Sequence, residues 1–279
     1  MEKYLLSVQD IQRLLPNREP AGHKGDFGRC LLLCGSRGFT GAAALAARGA
    51  LTAGAGLIFL AVPEDIYAIE AVKLDEPVVL PLSRGWSEDS VPEILDLLDR
   101  KDAVLLGCGM GNRPGTRAVV EAVLKHARCP VVLDADGINC LSGHMDIVRG
   151  RKGPLILTPH EGEFLRIGGD LSRGREAGAV ELARDLGAVV LLKGHSTLIT
   201  DGGALYENPT GNPGMATGGC GDLLSGIITA FLGQGMDPLE AAVCGAWVHG
   251  AAGDDCAQAV GQYATTPTGM LSYLPRHLK

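Results

Sequence analysis

The chain has 279 residues, is 46% hydrophobic, and carries 25 basic and 32 acidic side chains, which gives a formal net charge of −7. A chain of this size buries roughly three quarters of its unfolded surface, so we expect one large domain over residues 1–279 that needs no disulfide or metal for stability. The acidic excess and the lack of a Lys/Arg-rich block argue against nucleic acid and anionic membranes as partners.

The amino-terminal segment and the apolar runs predict neither secretion nor membrane insertion. The first twenty residues carry charges and lack the apolar core of a signal peptide. The longest apolar runs are well short of the roughly 20 residues that cross a bilayer. The eight cysteines show no paired CxxC spacing, and most lie in apolar runs. We therefore expect a cytoplasmic protein without a structural metal.

Short apolar runs alternate with helical patterns from residue 30 to residue 193. The runs are continuous rather than alternating, which is typical of parallel strands covered on both faces, so the pattern predicts an open α/β sheet. The predicted strands begin near Cys30, Gly56, Ala103, Pro130, Pro154 and Ala188, and the predicted helices cover 41–54, 91–100, 116–128 and 175–186.

The pattern changes after Lys193. The stretch HSTLITDGGALYEN predicts a hairpin that turns at residues 201–203. Only helices follow, at about 221–234, 238–260 and 267–277. No linker, internal repeat or low-complexity tract interrupts the chain, which supports a single domain.

Most predicted strands end in residues that can take part in chemistry. In open α/β sheets, ligands bind beyond the carboxyl ends of the strands. Turns alone explain glycine at these ends, but not Asp, His and Lys in series. The residues concerned are Gly35 and Ser36, 107–111, Asp134 and Asp136, 158–160, and Lys193 and Gly194.

The stretch GMATGGCGDLLSGI, residues 214–227, crowds glycines where an apolar helical stripe begins. A helix N-terminus offers free N–H groups and partial positive charge to an anion, and glycine lets a phosphate come close. Asp222 would lie in the first turn. The alternative is an ordinary glycine-rich turn with Asp222 as a first-turn acid, and this stretch alone does not decide between them.

Two other strand ends are candidates for ligand binding. Lys193, followed by GHST, could meet a nucleotide phosphate, or it could be a solvated lysine that begins the hairpin. In TPHEGEF, residues 158–164, Glu163 could hold a hydrated Mg²⁺, or it could be a first-turn acid of the next helix. We assign the small residues 42–44 and His249, on an apolar late helix, to packing.

Seven blocks follow one another in a characteristic order: GHKGDFG (22–28), GAAALAARGALTAGAG (41–56), GCGMG (107–111), LDADGIN (133–139), LTPHEGEF (157–164), LLKGHSTLI (191–199) and NPTGNPGMATGGCGDLLSGIITAFLGQG (208–235). In this order they closely resemble the ADP-dependent NAD(P)H-hydrate dehydratases, a branch of the ribokinase-like superfamily. The resemblance runs from about His23 to the carboxyl terminus, and the blocks are far more specific together than singly.

The resemblance implies a three-layer α/β/α sandwich with a mostly parallel sheet. It also implies a repair reaction in which the S epimer of NADH or NADPH that has gained water across its ring is dehydrated. The co-substrate would be ADP, giving AMP and phosphate, or ATP as in eukaryotic members, with Mg²⁺. Relatives form tetramers, so a homo-oligomer is expected. Many bacterial relatives carry an epimerase domain ahead of this one, for which we expect no room here.

Site residues follow from the same resemblance. The nucleotide would contact Lys193, Gly194, His195, Ser196, Thr197, Gly219 and Gly221. The hydrated cofactor would contact Ala43, Gly109, Gly111, His160 and Asp222. Asp222 would be the catalytic base, and Glu163 would hold Mg²⁺, directly or through water.

The chain departs from the family pattern at three positions. Cys108 replaces the Pro of a GPG block, Glu161 replaces the Pro of an HPGE block, and Cys220 replaces a common Thr. Glu161 adds a negative charge near the substrate. Backbone N–H groups, the expected phosphate donors, are unaffected.

Two other functions compete with the dehydratase. A ribokinase-like kinase of a small alcohol, such as hydroxyethylthiazole kinase, would use the same glycine loop, but such kinases typically have Asn where this chain has His160. A non-catalytic nucleotide sensor would have lost Asp222, which is present. The residues do not distinguish NADH hydrate from NADPH hydrate, or ADP from ATP.

Overall fold

The computed structural model describes residues 3–279, and ten strands within this range form one sheet. The strands are β1 (Lys3–Leu5), β2 (Arg29–Leu33), β3 (Leu57–Pro63), β4 (Val78–Leu82), β5 (Ala103–Leu106), β6 (Val131–Leu133), β7 (Leu155–Leu157), β8 (Val189–Leu192), β9 (Thr197–Thr200) and β10 (Leu205–Asn208). Their order is β1-β10-β9-β8-β7-β6-β5-β2-β3-β4. Strands β2 to β8 pair in parallel, and β9 is antiparallel to both of its neighbours.

Helices cover both faces of this sheet. They are α1 (Val8–Leu14), α2 (Thr40–Thr52), α3 (Glu64–Lys73), α4 (Val91–Leu97), α5 (Pro114–His126), α6 (Asp136–Asn139), α7 (Asp146–Arg149), α8 (Glu161–Arg166), α9 (Arg175–Leu186), α10 (Cys220–Gly233), α11 (Pro238–Val260) and α12 (Pro267–Met270). Within residues 3–279, none of them combines the length and apolar character needed to span a bilayer.

The predicted three-layer architecture is confirmed. The six apolar runs are β2, β3, β5, β6, β7 and β8, and the predicted hairpin is β9 and β10. Neighbouring side chains of β2 point to opposite faces of the sheet. Cys30 and Leu32 pack in a core with α2, α10 and α11, whereas Leu31 and Leu33 pack in a second core with α5, α8 and α9. Helices therefore cover both faces of the sheet, which explains why its central strands are continuously apolar.

The prediction missed the edges of the sheet. β1 and β4 are the outermost strands, and most of their side chains are exposed or half-buried. β1 is only three residues long, whereas β4 has the apolar sequence VVLPL and was passed over. The helices α1 and α3 were also missed. The helix predicted at 267–277 is interrupted, because α12 ends at Met270 and only a 3₁₀ turn follows at Leu274–His277. Pro275 cannot continue an α-helix, since it lacks an N–H and clashes with the preceding turn.

Backbone contact between α2 and α10 positions the glycine-rich end of α10. A Cβ at Gly49 would lie 2.6 Å from the carbonyl oxygen of Leu223, and one at Gly226 would clash with the carbonyl of Ala46. These two glycines allow the helices to pack at backbone distance. The start of α10 is therefore held against α2 by steric fit.

The connection of β2 to its neighbours creates a crevice at the carboxyl edge of the sheet. The chain leaves β2 toward β3 and β4 on one side and then returns to its other side with β5. Ligands of open α/β sheets bind where the strand order reverses in this way. The loops that follow β2 and β5 flank this point.

Candidate active site

The glycines before and within α10 have different structural roles. Gly219 has φ +97°, and a side chain there would clash with Leu45, while Gly226 packs against α2. A Cβ at Gly218 would have nothing within 4 Å. One at Gly221 would lie 3.4 Å from Nζ of Lys193. Turn geometry and packing thus explain two of the four glycines, and the other two border open space or the polar cluster described next.

Lys193 and Asp134 form a buried ion pair beside the start of α10. Nζ of Lys193 lies 2.8 Å from Oδ1 of Asp134, and the hydroxyl of Ser225 on α10 donates to Oδ2 at 2.8 Å. Burial alone would raise the pKa of Asp134, but Lys193 and the hydrogen bonds hold it below its usual value. Burial would lower the pKa of Lys193, but Asp134 and Glu163 raise it. Both groups therefore stay charged near neutral pH.

Asp222 lies in the first turn of α10 and faces the same cluster. Burial, followed by the negative charge of Asp134, raises its pKa to about 6. A hydrogen bond from Cys108 acts in the opposite direction. A carboxylate that titrates this close to neutrality is suited to accept a proton during a reaction.

Cys108, which stands where the family usually has Pro, lies between the two carboxylates. Its Sγ is 3.7 Å from Oδ2 of Asp134, and its contact with Cys34, together with burial and nearby acids, raises its pKa well above the usual value. The thiol thus stays protonated and can donate to either carboxylate. The substitution changes the surroundings of Asp222 without displacing the α10 amides.

His160 caps α8 through one ring nitrogen, and its other ring nitrogen lies near Glu163. Its ring Nδ1 accepts a hydrogen bond from the backbone N–H of Gly162 at 3.0 Å. In return, Oε2 of Glu163 accepts one from the backbone N–H of His160 at 2.9 Å. Because Nδ1 accepts, the ring proton of neutral His160 is on Nε2. The side chain is half-exposed, and Nε2 lies 3.5 Å from Oε1 of Glu163 without a direct hydrogen bond, so Nε2 can still donate to a ligand.

Glu163 fits a magnesium ion only as an outer ligand. Its side chain is 5% exposed, caps the N–H of His160, and lies 3.9 Å from Nζ of Lys193. Donor atoms of Cys108, Asp134 and Asp222 lie within 4.8 Å of one another, but the ammonium of Lys193 already neutralises Asp134. Mg²⁺ usually keeps several waters and binds through substrate phosphates, so few protein oxygens are needed.

The loop of residues 193–197 joins β8 to β9 at this edge. Gly194 has φ +155° and Ser196 has φ +57°. The hydroxyl of Thr197 donates to the carbonyl of Gly194 at 3.1 Å, and His195 is exposed. The N–H groups of residues 194–196 donate to no acceptor within residues 3–279.

The residues predicted to face the cofactor ring lie at the β2–β5 crevice. Gly109 has φ +64°, and a Cβ there would lie 2.8 Å from that of Ala42 on α2. Gly111 donates its N–H to Asp136 at 2.7 Å. Ala43 is fully buried, so neither its side chain nor its backbone is exposed in this crevice.

Sequence reasoning missed several residues that shape the site. Asp134 was named among the strand-end residues at the ligand edge, but its ion pair with Lys193 was not expected. Ser225 and Arg175 carried no signal, because their partners are distant in sequence. His249 is buried as expected, and burial lowers its pKa to about 4.

Comparison with known proteins adds independent observations. A family model described as NAD(P)H-hydrate dehydratase matches residues 30–276. The chain is 42% identical over 284 residues to the bifunctional NAD(P)H-hydrate repair enzyme Nnr of Moorella thermoacetica. This match covers 99% of this chain and 54% of that protein. The chain is also 35% identical over 273 residues to the ADP-dependent (S)-NAD(P)H-hydrate dehydratase of Neisseria meningitidis, with 94% and 88% covered.

A solved structure agrees with these relatives. The ADP/ATP-dependent NAD(P)H-hydrate dehydratase of Bacillus subtilis, co-crystallised with ATP and Mg²⁺, superposes with a TM-score of 0.87 at 31% identity. The match covers 99% of this chain and 98% of that one. The chain spans about half the length of the curated relatives it matches first.

Proposed function

The chain belongs to the NAD(P)H-hydrate dehydratase family, and on that premise we propose that it dehydrates the S epimer of hydrated NADH or NADPH at the expense of ADP. Its fold is ribokinase-like. The observation that supports the proposal most is Asp222, which lies in the first turn of α10 near Lys193 and whose pKa is raised to about 6. The names of the Neisseria and Bacillus relatives support the substrate and the nucleotide.

The first step makes a leaving group. Hydroxide leaves poorly, so the ring hydroxyl oxygen attacks the β-phosphorus of ADP, the bond from phosphorus to AMP breaks, and the hydroxyl proton passes to Asp222. The N–H groups at the start of α10 and the ammonium of Lys193 stabilise negative charge on the phosphoryl oxygens. The free amides of residues 194–196 bind the nucleotide phosphates.

The second step removes the phosphate. The lone pair of the ring nitrogen expels it, so the carbon–oxygen bond breaks with its electrons on the phosphate. A proton then leaves the neighbouring carbon and restores the dihydronicotinamide. The balance is hydrated cofactor plus ADP giving NAD(P)H, AMP and phosphate. His160 donates from Nε2 to orient the substrate.

Magnesium fits this scheme as a companion of the nucleotide. When bound, it would supply further positive charge at the phosphates, held by phosphate oxygens and waters, with Glu163 reached through water. The residues named above perform binding, orientation and proton transfer.

A direct assay tests the proposal. Incubation of the protein with hydrated NADH, ADP and Mg²⁺ should restore the dihydronicotinamide absorbance. No recovery with ADP or with ATP would exclude a dehydratase, and nucleotide consumption with a thiazole alcohol instead would assign the site to a small-alcohol kinase.

Asp222→Asn tests the proposed base. Turnover should fall about 100-fold or more while ADP still binds, because a positioned base contributes roughly 10²–10⁴ in rate. Asp65→Asn is a matched control, since Asp65 is an exposed first-turn acid of α3. Turnover of Asp222→Asn near the wild-type rate would show that the base is another group.

The proposal extends to location and assembly. All eight cysteines are unpaired thiols, which supports a reducing, cytoplasmic setting. Leu5 and Val78, on the two edge strands, are exposed, which supports a homo-oligomer that covers them. Light scattering after gel filtration would test the assembly, and a monomer at working concentrations would contradict it.

A further inference from the structure

The guanidinium group of Arg175 binds four carbonyl oxygens at the loop that joins β8 to β9. Nη1 donates to the carbonyls of His195 at 2.9 Å and Ser196 at 3.2 Å. Nη2 donates to those of Leu192 at 3.3 Å and Lys193 at 3.2 Å. Arg175 is the first residue of α9, so the start of one helix holds the backbone of a loop that lies after the next strand.

The direction of these carbonyls sets the direction of the loop amides. In a trans peptide unit, the C=O of one residue and the N–H of the next point opposite ways. Because the carbonyls of Lys193 and His195 point to Arg175, the N–H groups of Gly194 and Ser196 point away from it. Neither N–H has an acceptor within residues 3–279. Free amides in such a loop form a binding site for an anion.

The fit around the guanidinium is tight at Gly194. A Cβ there would lie 2.5 Å from Nη2 of Arg175, and the φ of +155° is one that side-chain-bearing residues rarely adopt. The loop and the arginine are therefore shaped to each other. Glycine at this position leaves room for the guanidinium.

Glu161 holds the arginine from the other side. Its Oε1 lies 3.0 Å from Nε of Arg175, as an ion pair without the alignment of a hydrogen bond. Glu161 is one of the three departures of this chain from the family pattern. The negative charge of Glu161 is thus paired with Arg175, whereas the sequence suggested only that it lies near the substrate.

We propose that Arg175, held by Glu161, is a positioning residue that shapes the 193–197 loop for the phosphates of the nucleotide. The inference rests on the proposed function, because ADP is taken as the ligand of this loop. Arg175 acts through the backbone, since its donors are used by carbonyl oxygens. Without it, these carbonyls lose their donors and the peptide units are free to rotate their oxygens toward the phosphate.

Arg175→Ala and Arg173→Ala form a matched pair for the test. Both remove one positive charge, but Arg173 pairs with Glu181 and contacts none of the loop carbonyls. By calorimetry, Arg175→Ala should weaken ADP binding about tenfold or more, whereas Arg173→Ala should change it less than about twofold. In turnover, Arg175→Ala should raise KM for ADP, with kcat and the KM for hydrated NADH close to wild type. Arg175→Lys should fall in between, because an ammonium cannot bridge four carbonyls.

Glu161→Gln distinguishes two possible roles of Glu161, because they predict opposite changes in the affinity for ADP. If Glu161 repelled phosphate, its neutralisation would tighten ADP binding; since it holds Arg175, binding should weaken about two- to threefold. Its half-exposed side chain makes this variant a sound test should Arg175→Ala fail to fold. Tighter or unchanged binding by Glu161→Gln, or equal losses in Arg173→Ala and Arg175→Ala, would overturn the inference.

The wild-type control keeps the two proposals apart. Failure of the wild-type protein to bind ADP would overturn the proposed function. Binding of ADP by the wild type and equally by Arg175→Ala would overturn only the positioning role.

Discussion

The ammonium nitrogen of Lys193 lies 2.8 Å from Oδ1 of Asp134, and this ion pair joins the ends of β8 and β6 beside the first turn of α10. The two strands are not neighbours, since β7 lies between them. The pair therefore places one fixed positive charge at the centre of the carboxyl edge. Burial, followed by the negative charge of Asp134, raises the pKa of Asp222 to about 6, while Lys193 acts in the opposite direction.

Loss of one partner of this pair should destabilise the fold. Lys193→Met leaves Asp134 buried without its counter-charge, which typically costs about 3–5 kcal/mol of unfolding free energy. Urea denaturation would measure the loss. Lys193→Met with Asp134→Asn should recover part of it. Arg149→Met, which breaks the exposed pair with Asp185, should leave the free energy of unfolding nearly unchanged. Equal losses of unfolding free energy in Lys193→Met and Arg149→Met would show that burial of the ion pair does not matter for stability.

Turnover should depend on pH through Asp222. Its pKa is raised to about 6, and the base must be ionised, so kcat/KM should fall as the pH drops below that value. Cys108→Ala removes a hydrogen bond that lowers this pKa, so the acidic limb should move to higher pH. Profiles of both proteins between about pH 5 and about pH 8 provide the test. A flat profile, or a shift to lower pH in Cys108→Ala, would contradict it.

Asp222→Asn should stabilise the protein while it abolishes turnover. The folded-state pKa of Asp222 is raised from 3.8 to about 6, so folding disfavours the ionised form. This penalty is absent below the unfolded pKa and complete above about pH 6, so the variant should gain about 1–3 kcal/mol at pH 7 and lose that gain toward pH 4.

Denaturation of the wild type and of Asp222→Asn at pH 7 and pH 4 would measure the direction of this change in unfolding free energy. Asp65→Asn should show the opposite effect at pH 7, a loss of about 0.3–1 kcal/mol, because it removes an exposed acid that is favoured at a helix N-terminus. A variant Asp222→Asn less stable than wild type at pH 7 would mean that the carboxylate supports the fold.

Two glycines of the 214–227 stretch should respond differently to alanine. Gly226→Ala forces a Cβ into the carbonyl of Ala46 and should cost about 1–3 kcal/mol or more. Gly218→Ala meets nothing within 4 Å and should leave the free energy of unfolding unchanged or slightly higher. If a ligand approaches here, Gly218→Ala should weaken ADP or substrate binding. Loss of stability without loss of binding would assign Gly218 to the fold.

The central strands were predictable because parallel strands buried on both faces must be apolar throughout. β1 was missed because it has only three residues and all of them are exposed, whereas β4 was missed although its sequence, VVLPL, is apolar throughout. The end of the helix at Met270 was predictable in part from Pro275, which cannot continue an α-helix. Where the signal was burial, the prediction held, and where the element lay at the edge, it did not.

The candidate site was predicted as a set of strand ends. Gly221, Asp222 and Lys193 were expected at one edge, and they meet there. The partner of Lys193 was not foreseen, because a contact across 59 residues depends on strand order, which local patterns do not encode. The ion pair between Glu161 and Arg175 was not foreseen either, since Arg175 approaches from another helix.

The sequence alone determined the layered α/β architecture, the edge of the sheet that carries polar residues and the family blocks, because burial periodicity and strand-end chemistry are local properties. Only the tertiary structure decided which glycines serve packing, which acid neutralises Lys193 and which arginine donates to the carbonyls of the 193–197 loop. Those features depend on the order of the strands and on the distance between helices. They arise where residues far apart in the chain are brought into contact, and so the charge of each group is set by neighbours that the linear sequence does not reveal.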